Sequence, residues 1–232
     1  MNTAPAYSIR SLIHAYDGRV VLEIPKLDIA SGEMCALVGP NGSGKTTLLS
    51  ILALLLSPVA GSVLLHGLES ACGPQRQRLR RQVTLVHQKP VLFSTTVWNN
   101  VSYGLRALGL PAKEIKARVG AVLEELGLSG VAGRQARKIS GGEAQRAVLA
   151  RGLVLETPIL LLDEPTSSLD EDFRPVLWDL LRRARQKRNA TIIVATHDSN
   201  FVSAFVRQIV RLEDGKISLP ARNTSSEWPP AA

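Results

Sequence analysis

The sequence predicts an α/β fold with a parallel sheet, and three observations predict it. Five short runs, MCALV (34–38), VLLH (63–66), VTLVH (83–87), ILLLD (159–163) and TIIVAT (191–196), read as strands. Several are apolar without alternation, as strands covered on both faces are. Helical patterns at 46–56, 113–127, 143–156, 172–188 and about 199–206 follow or separate them, and strand–helix succession argues α/β. A glycine-rich stretch, LVGPNGSGKTTLL (37–49), joins the first of these strands to the first helix.

Taken in order, the strand at 34–38 runs into the glycines and the helix at 46–56 leaves them. Residues 90–156 contain no convincing strand and read as a helical insert. Within it Ser140 and Glu143 form an S-x-x-E capping box that opens the helix EAQRAVLARGLVLE. Gly152 inside that helix costs about 1 kcal/mol relative to alanine with no local reason in the sequence. The helix at 172–188 carries apolar Val176, Leu177, Leu180, Leu181 and Ala184, and its basic end, RRARQKR, suits a helix C-terminus. The division expected is a single domain over 1–219, with core segments 1–89 and 157–219 around the insert 90–156. A disordered Pro-, Ser- and Ala-rich tail would follow over 220–232.

Composition narrows the class. The 232 residues are enough for a sizeable core, and with 4% aromatics it must be built from Leu, Val, Ile and Ala. The longest apolar run, 51–56, is far short of the ~18–20 residues of a membrane span, and MNTAPAYSIR has no signal pattern, so a soluble cytoplasmic chain is expected. Cys35 and Cys72 share no metal-ligand spacing and read as reduced thiols. The net charge of +8 is spread out, with clusters only at 76–81 and 182–188; a solvated face explains these better than a nucleic-acid surface.

The chemistry begins at the glycines. Gly39, Gly44, Lys45 and Thr46 satisfy G-x-x-x-x-G-K-[ST] with a strand before and a helix after, which is the setting that cradles a nucleoside triphosphate. Backbone N–H groups and the positive end of the helix face the phosphates; Lys45 supplies a point charge and Thr46 a hydroxyl for Mg²⁺. The run ILLLDEP ends in two carboxylates. Asp163 is the Mg²⁺ partner and Glu164 the base for an attacking water, the two diverging because neighbouring strand residues face opposite ways. In ISGGEAQR (139–146), Gly141 and Gly142 exceed what a cap needs and suggest a second anion at a second helix N-terminus.

With these residues in hand, the chain resembles the ATP-binding subunits of ABC transporters from Ser8 to Leu219. The matching set, in order, is GPNGSGKT, Gln88, ISGGEAQR, ILLLDEP, SSLD and Thr196–His197. The resemblance implies a P-loop NTPase (RecA-like) parallel-sheet core with an N-terminal antiparallel β subdomain and an inserted α-helical subdomain. It implies ATP and Mg²⁺ as ligands, held by Gly39, Pro40, Asn41, Gly42, Ser43, Gly44, Lys45, Thr46 and Thr47, with Thr46, Gln88 and Asp163 at the metal. It also implies a homodimer sandwiching two ATP molecules, each between the phosphate loop of one copy and Ser140, Gly141, Gly142 and Glu143 of the other. Tyr16 matches the aromatic that stacks on adenine, Gln88 the glutamine linking metal and water to the permease-facing helices, Asp170 the loop coupling the two sites, and His197 the switch histidine. His14, His66 and His87 read as structural.

Three departures from the commonest pattern are Glu143 for Gln, Ile139 for Leu and His87 for Phe. A separate membrane permease, and through it a solute-binding protein, are the implied partners, with no nucleic acid, and the implied location is the inner face of the plasma membrane. The region 87–106 with GGEAQR looks most like oxyanion importers, tungstate first, then molybdate or phosphate. An ATPase of a lipoprotein-release or cell-division complex is the alternative. A chromosome-organising relative would need a coiled-coil insertion that the 51 residues between Gln88 and Ser140 do not provide.

Overall fold

The computed structural model describes residues 4–69 and 73–222; Cys72 and residues 223–232 lie outside them. Strands β1 (Pro5–Tyr16) and β2 (Arg19–Ala30) form an antiparallel hairpin. Its turn at Asp17 and Gly18 has positive φ at both residues, the backbone twist that tight hairpins favour. Strand β3 (Met34–Val38) leads to helix α1 (Lys45–Leu52), followed by β4 (Ala60–Leu65), β5 (Leu68–Glu69), α2 (Gly73–Arg80) and β6 (Val83–Val86). Helices α3 (Val97–Ala107), α4 (Ala112–Glu125) and α5 (Gly141–Leu153) come next. Then follow β7 (Ile159–Asp163), α6 (Arg174–Arg188), β8 (Thr191–Ala195), α7 (Ser199–Phe205), β9 (Gln208–Glu213) and β10 (Lys216–Arg222).

One ten-stranded sheet results, in the order β5-β4-β1-β2-β10-β9-β3-β8-β7-β6. The stretch β9-β3-β8-β7-β6 is parallel throughout, while β1 pairs antiparallel with both β2 and β4. The chain is therefore α/β with an antiparallel N-terminal portion, as expected. β10 reverses through Asp214 and Gly215, pairs antiparallel with β9, and touches β2 at Lys216 and Glu23. It runs three residues beyond Leu219, where the tail was expected to start.

Alternate residues of the central strands feed two separate cores, which explains their unbroken apolar runs. Met34, Ala36, Leu160, Leu162, Ile192 and Val194 pack with α3–α6 on one face. Cys35, Leu37, Ile159, Leu161, Ile193 and Ala195 pack with α1 and the β1–β2 hairpin on the other. The Cys35 thiol is buried, and the loss of solvent pushes its pKa up to about 12, so it stays protonated and unreactive. α1 stops at Leu52 rather than 56 because Leu54 turns to a φ of 57°.

Gly152 now has a reason. A Cβ there would stand 2.6 Å from Val86 Cγ2 and 3.3 Å from Thr84 Cγ2, so α5 lies directly on β6. Gly152→Ala gains about 1 kcal/mol of helix propensity but overpacks this contact at a cost of about 1–3 kcal/mol. A net loss of about 1 kcal/mol is expected in chemical denaturation, and a stabilised variant would show that α5 does not depend on this contact.

Candidate functional site

The loop between β3 and α1 is shaped first by its own neighbours. A Cβ on Gly39 (φ 151°) would fall 2.0 Å from the carbonyl oxygen of Leu212 on β9, and one on Gly44 (φ 100°) 2.6 Å from Leu22 Cδ2 on β2. Those two glycines are therefore demanded by close packing against the sheet. Gly42 (φ 81°) has no heavy atom within 4 Å of that position and is the glycine with room beside it. Ser43 Oγ is buried without a hydrogen-bond partner. Lys45 Nζ donates to the carbonyls of Gly39 (2.8 Å) and Pro40 (2.9 Å), folding the ammonium over the loop. An ammonium and an orphaned hydroxyl at the start of a helix fit an incoming phosphate.

Thr46 and Thr47 open α1 behind the loop. Thr46 Oγ1 donates to Asp163 Oδ2 at 2.8 Å, which joins the start of α1 to the end of β7. Glu164 follows in the left-handed region at φ 46° and its N–H donates to Ala195 O. The two carboxylates thus diverge through a turn, not through strand alternation as the sequence reading supposed, because β7 ends at Asp163. Such a backbone costs about 1–3 kcal/mol and persists only where its surroundings hold it. Glu164 is buried, yet His197 Nδ1 reaches to 2.9 Å of its Oε2 from a ring that is 79% exposed. Thr196, at the end of β8, accepts from Asp198 N–H and fixes the backbone on either side of that histidine. Gln88, just past β6, lines the same cavity of ≈ 730 Å³ as Thr46 and Asp163; Phe93, Tyr103 and Arg151 form its far wall.

The second constellation stands apart from this cavity. Ser140 caps α5: its Oγ accepts from Glu143 N–H (3.2 Å), and Glu143 Oε2 accepts from Ser140 N–H (2.7 Å). That backbone N–H holds the Glu143 carboxyl below its ordinary pKa. Glu143 therefore completes a capping box, a task that Gln performs as well, which accounts for the departure at this position. No heavy atom lies within 4 Å of a Cβ built on Gly141; one on Gly142 would be 3.5 Å from Asp170 Oδ2. Asp170 thus sits beside the start of α5 in its own chain. Tyr16, at the end of β1, is 47% exposed with its ring edge-to-face on His14.

The structure places Thr46, Gln88 and Asp163 around one cavity and Glu164 against His197. It places Ser140, Gly141, Gly142, Glu143 and Asp170 together elsewhere. Sequence reasoning missed that His14 packs on Tyr16; their spacing of two on one strand, which puts both on one face, was the available signal.

A phosphate loop, two acids at the end of β7 and a helix capped by Ser140 and opened by two glycines define an ATP-binding-cassette arrangement, and comparison with known proteins agrees. A family model described as ABC transporter matches residues 22–167, and the chain belongs to that family. It is 38% identical over 221 residues to the phosphate import ATP-binding protein PstB 2 of Natronomonas pharaonis, covering 90% of this chain and 78% of that one. It is 33% identical over 210 residues to the tungstate uptake system ATP-binding protein TupC of Peptoclostridium acidaminophilum, covering 90% and 95%. Further relatives are named for import of Fe(3+), spermidine/putrescine and sulfate/thiosulfate. The dimeric ATP-binding cassette MJ0796, solved in a post-hydrolysis state with ADP and Pi, superimposes with a TM-score of 0.87 at 27% identity, covering 94% and 98%.

Proposed function

We propose that this chain is the Mg²⁺-dependent ATPase subunit of a transporter, hydrolysing ATP at the interface of a homodimer and driving a separate membrane permease. The observation that carries the reading is the Thr46–Asp163 hydrogen bond beside the phosphate loop, with Glu164 and His197 on the adjacent strand ends. Oxygen donors of this kind suit Mg²⁺; the Thr46 hydroxyl, the Asp163 carboxylate and the Gln88 amide would hold it and leave its remaining positions to phosphate and water. The ion, once bound, would neutralise charge on the β and γ phosphates.

Lys45 Nζ exchanges its two loop carbonyls for phosphate oxygens, and Ser43 Oγ gains a partner. Glu164 takes the proton of the water that attacks the γ phosphorus, and His197 beside it senses that phosphate. Tyr16 offers its ring to the base. Ser140 and the N–H groups of Gly141 and Gly142 complete the partner copy's pocket, with Asp170 next to them carrying the state of one site to the other. Helices α3–α5 form the permease-facing part. The cavity behind Gln88, walled by Phe93 and Tyr103, receives the permease.

No helix among the described residues is long and apolar enough to cross a membrane, and we place the subunit on the inner face of the plasma membrane through its permease. The transported solute is proposed to be an oxyanion, tungstate before molybdate or phosphate, from the likeness of residues 87–106 and the TupC and PstB 2 relatives. Purifying the native complex, identifying the permease and measuring tungstate, molybdate, phosphate and sulfate uptake tests this. A lipoprotein-release or cell-division partner would overturn it.

The dimer reading has its own test. Ser140→Asp keeps a capping side chain but sets a carboxylate against the partner's γ phosphate, and like charges at an interface cost several kcal/mol. Turnover should fall at least tenfold while ATP affinity of the monomer is unchanged. Weakened binding by the monomer would mean that Ser140 serves its own chain's nucleotide.

A further inference from the structure

We propose that His14 is a positioning residue for the adenine platform: it locks the Tyr16 ring to the loop that follows the phosphate-binding helix. The inference rests on the reading of Tyr16 as the base-stacking residue and adds how that ring is held.

His14 and Tyr16 are two apart on β1 and share a face of the strand, and their ring centroids lie 4.8 Å apart at an interplanar angle of 86°. Edge-to-face contact is the favourable geometry for such rings, and it occupies Tyr16 while leaving the ring 47% exposed. His14 itself is buried. Its Nδ1 stands 3.1 Å from the carbonyl oxygen of Ser57. A carbonyl only accepts, so Nδ1 carries the proton in this contact. Nε2 is then a bare acceptor, buried and without a partner. A phenyl ring would fill the slot without stranding a nitrogen; what only a histidine adds is the tether to Ser57.

That tether ends on a segment held from several sides. Arg76 donates to Leu54 O, Leu56 O and Ser57 Oγ, and Val59 N–H donates to Ile13 O. The segment is the exit of α1, whose entrance is the phosphate loop. On the other side β2, the partner of β1, packs on that loop, with Val21 O 3.2 Å from the position of a Cβ on Gly44. The base platform and the triphosphate cradle are thus tied to one another at both ends of α1. His14 is the side chain that fixes the aromatic ring to this frame. An unheld Tyr16 on a two-residue hairpin would have to be ordered by each nucleotide that binds, and ordering a ring at the moment of binding weakens affinity.

The test measures equilibrium binding of MgATP and MgUTP, together with saturated turnover, for the native subunit and for His14→Gln, His14→Phe and Tyr16→Ala. Tyr16→Ala should weaken ATP binding about tenfold and bring the ATP and UTP affinities together, because the purine loses its stacking partner. His14→Gln, which retains a donor and loses the ring edge, should weaken ATP about threefold, narrow the same ratio and leave turnover at saturation within twofold. His14→Phe, which retains the edge and loses the tether, should fall between it and the native protein. If Tyr16→Ala leaves the ATP/UTP ratio intact, the platform reading fails and the inference falls with it. If Tyr16→Ala narrows the ratio while both His14 variants preserve it, the inference alone is overturned. Equal loss of ATP and UTP binding, or of turnover, in the His14 variants would show a general structural role and also overturn it.

Discussion

Replacing Glu164 by glutamine should leave ATP binding intact and abolish most turnover, by about 10²–10⁴-fold, the usual worth of a positioned general base. The substitution keeps shape and volume and removes one property, the capacity to accept a proton as a carboxylate. The groups proposed to bind this subunit's nucleotide lie elsewhere: the loop after β3, Lys45, the Thr46–Asp163 pair and Tyr16. Glu164 is instead held by its own backbone, with its N–H on Ala195 O and φ at 46°. That geometry belongs to the main chain and survives the change. Trapped before hydrolysis, the subunit should accumulate as an ATP-bound dimer. Size-exclusion chromatography with and without MgATP, beside single-turnover kinetics, reads both effects. The competing explanation is that Glu164 exists to pair with His197, 2.9 Å away. Under it, Glu164→Gln would hydrolyse ATP at near the native rate and show only lowered stability.

How much of this could be read from the chain depends on where each element draws its stability. β3, β7 and β8 are buried on both faces, so their apolar runs announce them in isolation. β1 and β2 lie where run-by-run reading finds no strand and only family likeness implies one. β9 and β10 escape because both are short and QIVRLE is half exposed, and pairing with distant strands decides their state. α3 escapes for a different reason. Its Asn, Ser and Gly residues are weak helix formers. The helix is held by the Thr96 cap and by buried Asn100, which bonds Phe93 N–H, Phe93 O and Thr96 O.

The basic clusters show the same dependence on distant partners. Arg76 and Arg80 reach backbone carbonyls, while Arg182, Arg183 and Arg188 pair with acids of α6, α4 and the segment before β7. At the site, the motif with its strand–helix setting pointed to the loop, and the end of an apolar strand pointed to the acids. It could not show that Gly39 and Gly44 answer to Leu212 and Leu22, or that the two acids part through a left-handed turn, because both facts arise from contacts far away in sequence.

Lys45→Ala should cost the largest share of nucleotide affinity of any single change in the loop. A charge-assisted hydrogen bond contributes about 1.5–3 kcal/mol, so losing the ammonium's contact to phosphate should weaken MgATP binding by about 10- to 150-fold. The structure makes the interpretation sharper. Lys45 Nζ already bonds Gly39 O and Pro40 O, so its removal also frees two carbonyls of the loop. Weakened binding could therefore come from a missing charge or from a slackened loop. Lys45→Arg separates them. It keeps the charge and donors for the carbonyls but replaces a compact ammonium by a planar fork in a cradle whose glycines leave no slack at Leu212 and Leu22. If the loop alone mattered, Arg would restore binding. If the compact charge is what the phosphates require, both variants bind poorly while melting at the native temperature without nucleotide, and calorimetric titration with MgATP should show that second pattern.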